Sequence, residues 1–169
     1  KMSALSLGDA TLKSIGIRKG LPEEEEQALV YLYMTATQLP GEEYLKVLDE
    51  FITQFPNNTE GYYRRAGYNI ANAKGDETML DKAAADLEQA LKIAQKKEDA
   101  YYSIAKIMYA YQLEKPEKTY KDWTYDTALA NVRKAIELDP QPVYTQLEGD
   151  ILFAKQDYAG ALASYEKVN

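Results

Sequence analysis

Cysteine and histidine are both absent from the 169-residue chain. Without cysteine there is no disulfide and no thiolate metal site. Without histidine the chain lacks the commonest general base, the commonest transition-metal ligand and the side chain that titrates near neutrality. Phenylalanine is scarce and tryptophan occurs once, 3 and 1 against 15 tyrosines, so most aromatic area comes with a hydroxyl. No apolar run approaches the length that crosses a bilayer, so no membrane insertion is expected within this segment. Positive charge is in deficit: 20 Lys and Arg face 27 Asp and Glu, a net charge of −7. Phosphate binding needs a basic face, which argues against nucleic acid as a partner. There is no nucleotide-binding glycine loop, no zinc motif and no carboxylate pair set in an identifiable apolar pocket. No catalytic residue, metal or cofactor is therefore expected. Period-two alternation never lasts long enough for a strand, and Asn-Gly and Asp-Gly hairpin turns are missing.

What is present is helical periodicity broken by turn residues. The spacing predicts nine helices, near 3–15, 22–39, 42–55, 59–73, 78–95, 98–113, 124–138, 142–155 and 158–168. Pro22 and the run Glu23 to Glu26 suit a first helical turn, where the positive end of the helix dipole favours carboxylates. Pro40-Gly41 and Pro56-Asn57-Asn58 bound the third helix, whose Leu45, Leu48, Ile52 and Phe55 are expected to face one way. A polar insertion, Leu113 to Thr124, separates two later helices and holds Lys115, Pro116, Lys118, Lys121 and Trp123. Its lysines are expected on the surface, and Trp123 is expected to pin the insertion down. The adjacent Arg64 and Arg65 are expected in salt bridges or solvent.

The pattern is clearest between Ala128 and Pro140, where Ala128, Val132, Ala135 and Ile136 share one helical stripe ahead of a proline stop. A second instance follows: Gly149, Ala161 twelve residues on, Tyr165 four further and Val168 three further. Small residues at those places let a neighbouring helix come close.

This succession resembles the tetratricopeptide repeat, a helix pair of roughly 34 residues. The last unit carries Gly149, Ala161, Tyr165 and Val168, with Glu148 where the repeat usually has leucine. The third carries Tyr101, Ala105, Ala128, Val132, Ala135 and Pro140, with the insertion between its helices. The second carries Tyr62, Ala66, Ala83, Leu87 and Ala90, and the first Leu32, Tyr44, Leu48 and Pro56. The units span about 25–58, 59–97, 98–141 and a truncated 142–169, and residues 1–24 hold an N-terminal helix, the tail of an upstream repeat or a cap. The chain opens Lys1-Met2-Ser3 and stops at Asn169 inside a helical pattern, and is expected to be a segment of a longer protein. The resemblance implies an all-α fold, a right-handed α-α superhelix of stacked helix hairpins. One pair cannot bury its own apolar stripe and must stack on the next.

The resemblance also implies that the first helix of each unit lines a concave face. The residues placed there are Leu29 and Tyr33; Tyr63, Gly67 and Ile70; Tyr102, Lys106 and Tyr109; and Gln146, Asp150 and Phe153. From these, Tyr33, Tyr63, Ile70, Tyr102, Lys106, Tyr109, Gln146, Asp150 and Phe153 form the candidate binding face, to which tyrosine brings rigid apolar area with a polar tip. Some members of the family hold acidic tails with a clamp of Lys, Asn and Arg. Here Leu29 and Tyr33 stand where that clamp has Lys and Asn. The expected role is a protein-interaction scaffold that takes a peptide or partner protein. The alternatives are a small-molecule or glycan-binding helical repeat associated with the cell envelope, and a structural spacer. Equally, the tyrosines could pack between helices with their hydroxyls in water.

Overall fold

The structure, a computed structural model, describes residues 41–168 together with Ala28 and Leu39. The helices expected over 3–15 and 22–39, and the Leu29 and Tyr33 positions, lie outside the described residues apart from Ala28 and Leu39. The described residues form seven helices: α1 (Gly41–Gln54), α2 (Thr59–Asn72), α3 (Glu77–Ile93), α4 (Lys97–Glu114), α5 (Tyr125–Leu138), α6 (Pro142–Ala154) and α7 (Tyr158–Val168). Among them there is no strand, only an isolated bridge between Tyr120 and Trp123. The chain divides into two compact units, Lys1–Ile93 and Ala94–Asn169.

In the first unit α2 packs on both α1 and α3. Leu48 and Phe51 are fully buried on α1, with Ala28, and Tyr44, Val47, Phe55 and Tyr68 close around them. The expected stripe on α1 omitted Phe51. Phe51 is the inward residue because Gly61 of α2 leaves room for its ring: a Cβ at Gly61 would lie 2.6 Å from Phe51 Cδ1. Asn58 starts α2 by accepting the Glu60 N–H at 2.9 Å, and Asp76 caps α3 by accepting from the Thr78 N–H at 2.9 Å and hydroxyl at 2.6 Å. Arg65 donates to both oxygens of the buried Asp86 on α3, at 2.9 and 2.7 Å, and to Asp49 on α1 at 2.9 Å. It thereby ties α1, α2 and α3 together, and the planar guanidinium matches the carboxylate in two-pronged geometry. Arg64 pairs with Glu60 one turn away, at 2.7 Å. Both arginines are thus in salt bridges.

In the second unit α4 pairs with α5, α6 with α7, and α5 and α4 both touch α6. Ala105, Ala128, Val132 and Ala135 are fully buried and Ala161 is 2% exposed. Glu148, the departure from leucine, accepts from Arg133 of α5 at 3.0 Å and from the Ser164 hydroxyl of α7 at 2.9 Å. A polar joint between three helices has taken the place of an apolar contact. The insertion folds back on itself: Trp123 is 2% exposed and meets Tyr111 and Tyr120 edge-on, with ring centres 5.4 and 4.9 Å away. Trp123 pins the insertion as expected. Its lysines do more than meet solvent, for Lys115 lies over the Tyr111 ring and Lys121 over Tyr120, at 5.7 and 5.3 Å. Thr124 then starts α5 by accepting the Thr127 N–H at 3.3 Å. Phe153, Tyr158 and Leu162 lie on the outside of the α6–α7 hairpin, each exposed by more than half.

Gly149 and Ala161 set how closely α6 and α7 approach. A Cβ at Gly149 would fall 2.4 Å from Tyr165 Cε1, closer than any real contact. Ala161→Leu and Gly149→Ala are each expected to cost roughly 1 to 3 kcal/mol by overpacking, read as a lower midpoint in urea unfolding. Midpoints equal to wild type would show that these positions are not at a helix crossing.

Candidate functional site

The face presented by the first helices of the second unit is built by α4 and α6. Successive turns of α4 carry Tyr102, Lys106 and Tyr109, and α6 carries Gln146 and Asp150 four residues apart, which places each set along one side of its helix. Asp150 is the centre. Its Oδ1 accepts the Tyr165 hydroxyl at 2.6 Å and the Gln146 side-chain amide at 3.4 Å. Its negative charge acts on the phenols of Tyr102 and Tyr109 across from it on α4.

The rings are held by other rings. Tyr102 leans on Tyr144 with centres 4.9 Å apart, and Tyr109 on Tyr125 at 6.1 Å. The Tyr144 hydroxyl donates to Asp99 at 2.8 Å, so a second carboxylate is fixed one turn before Tyr102. Lys106 Nζ sits 5.2 Å from the centre of the Tyr102 ring. Tyr102, Tyr109 and Tyr165 are half-buried, while Gln146 and Lys106 are exposed.

These surroundings hold the phenols protonated. Burial raises Tyr102 and Tyr109 above the ordinary tyrosine value, and the Asp150 charge adds to it. Tyr165 is pushed up to about 12, first by burial and then by its hydrogen bond to Asp150. Tyr144 is raised well beyond the ordinary range by burial and by its bond to Asp99.

Of the nine candidate positions, Tyr102, Lys106, Tyr109, Gln146 and Asp150 come together in this unit. Phe153 faces away toward Tyr158, ring centres 5.3 Å apart and 58% exposed. Tyr63 and Ile70 lie half-buried on α2 in the other unit, and Tyr33 lies outside the described residues. The candidate set omitted Asp99, Tyr144 and Tyr165. Asp99 was within reach of the sequence, since it stands just inside the start of a first helix. Tyr144 and Tyr165 read as packing residues; their rings do pack, and only their hydroxyls reach the carboxylates.

Among the described residues no group of three or more Asp or Glu is placed to hold a metal ion, and no helix is long and apolar enough to cross a membrane. The arrangement is one of rings, hydroxyls and carboxylates on paired helices. Residues 22–169 match the pattern that defines the tetratricopeptide repeat-like domain, and the chain belongs to that family. Such domains are typically non-enzymatic scaffolds that bind proteins. No curated protein and no solved structure shows a significant match to the chain.

The raised phenols give a pH dependence of definite sign. The native state resists ionisation of Tyr165 more than the unfolded chain does. Its contribution is therefore complete below the ordinary value of 10.0 and is lost as pH rises toward about 12. Stability to urea is expected to fall over that window, and less steeply in Tyr165→Phe. An identical slope in the two proteins would contradict the Tyr165 to Asp150 bond.

Proposed function

We propose that the chain is a tetratricopeptide-repeat scaffold that grips an extended peptide segment of a partner protein on the tyrosine-rich face of α4 and α6, with no catalytic step. The observation that carries this reading is the state of Tyr102 and Tyr109. Each is half-buried and braced by a neighbouring ring, yet each keeps part of its surface toward solvent beside Asp150. Bracing lowers the entropy lost when a peptide lands, and a phenol offers both apolar area and a hydrogen bond. Lys106, Gln146 and Asp150 supply polar contacts along the same face. Tyr63 and Ile70 hold the corresponding positions on α2 and add a second, separately testable face in the first unit.

Panning a library of random peptides on the whole chain tests this reading. Enriched peptides are expected to bind wild type and to lose at least about tenfold in affinity to the double variant Tyr102→Ala/Tyr109→Ala. Each buried aromatic anchor can contribute about 2 kcal/mol. Glu137→Ala, on the exposed side of α5, is expected to be silent. Peptides that bind the double variant as tightly as wild type would remove this face from the function.

A further inference from the structure

Four carboxylates of the second unit are held by side chains of other helices, in two different ways. Those at helix joints are matched by cations: Glu148 by Arg133 and Asp126 by Lys155. The two on the α4 and α6 face, Asp99 and Asp150, are held by phenols instead, and among the described residues neither has a lysine or arginine partner. A phenol fixes the position of a carboxylate without neutralising it. At Asp150 only Oδ1 is engaged, by the Tyr165 hydroxyl and the Gln146 amide, and the second oxygen Oδ2 makes no hydrogen bond among the described residues.

We propose that Asp150, flanked by Tyr102, Tyr109 and Tyr165, seats an arginine side chain of a basic, extended peptide. This rests on the peptide-binding reading above and assigns the chemistry of the peptide. A guanidinium is planar, stacks on aromatic faces and donates in a fork to a carboxylate. Asp150 with its tyrosines offers both recognition elements. The face also carries a cation of its own on one ring, since Lys106 lies over Tyr102. It is this contact, made by a lysine that forms no ion pair with Asp150, that an incoming arginine competes with. Asp99, fixed by Tyr144 at the start of α4, offers a second negative point for a further basic residue. The net charge of −7 draws basic segments toward the chain and repels acidic ones.

Three fluorescein-labelled peptides of alternating glycine and a test residue, arginine, its uncharged isostere citrulline, or glutamate, separate the possibilities by anisotropy on the whole chain. The arginine peptide is expected to bind at least about tenfold more tightly than the citrulline peptide, and the glutamate peptide more weakly still. Asp150→Asn keeps the acceptor for Tyr165 and removes only the charge. It is expected to weaken the arginine peptide about tenfold and to leave the citrulline peptide nearly unchanged. Lys106→Gln is expected to tighten the arginine peptide a few-fold. Glu137→Gln, an equal loss of charge away from the face, is expected to have no effect, which separates a seat at Asp150 from attraction by the acidic chain as a whole. Equal binding of the arginine and citrulline peptides, or an arginine peptide indifferent to Asp150→Asn, overturns the proposal. If those peptides still respond to Tyr102→Ala/Tyr109→Ala, the peptide-binding reading survives that result. If no peptide of any charge responds to the double variant, both fall.

Discussion

Tyr165 lies where a side chain on Gly149 would be, and this contact fixes both the packing and the chemistry of the second unit. Helices in a hairpin can cross closely only where one of them is bare, and a ring laid across glycine fills the gap that glycine leaves. Once the ring is there, its hydroxyl donates to the carboxylate of the residue after Gly149 on α6, at 2.6 Å. A residue that the repeat uses for packing thus orients a carboxylate of the face. Tyr144 does the same at the other end: its ring is buried at 3% exposure and its hydroxyl ends on Asp99.

Charge is distributed by the same logic. Where acids fall at joints between helices they are met by arginine or lysine, as at Asp86 with Arg65 and Glu148 with Arg133. Truncating either partner of the buried Asp86 pair would strand a charge in a poorly solvated place, and such pairs hold geometry more than they add stability. On the α4 and α6 face the acids are met by phenols, whose bonds orient them and leave the charge in place. An interaction surface needs this second arrangement: groups already ordered, but not already satisfied.

Much of the fold was legible because it is written in spacing. Small residues at fixed intervals, Ala66, Ala83, Ala105, Ala128 and Ala161, are all buried, and turn residues such as Asn58, Asp76 and Thr124 stand at helix starts. What spacing could not give was which particular side chain a residue meets. Phe51 is inward because of Gly61, and Lys115 and Lys121 rest on rings whose placement follows from Trp123. The candidate site was half legible for the same reason. Repeat positions led to Tyr102, Tyr109, Gln146 and Asp150, but the pattern treats tyrosine at a packing position as apolar and so passed over the hydroxyls of Tyr144 and Tyr165. Phe153 was placed on the face by position alone, whereas its ring meets Tyr158 on the outside of the hairpin.

The central claim is that recognition takes place on the α4 and α6 face, at the tyrosines around Asp150. It is tested most directly by nuclear magnetic resonance of the whole chain during titration with the arginine-glycine peptide, following the tyrosine ring and backbone signals together. The account predicts saturable shifts that are largest at Tyr102, Tyr109, Tyr165 and Asp150, with Lys134, Glu137 and Leu162 unmoved. Shifts concentrated on the outer surface of α5 or α7, or spread evenly over every acidic residue, would contradict it.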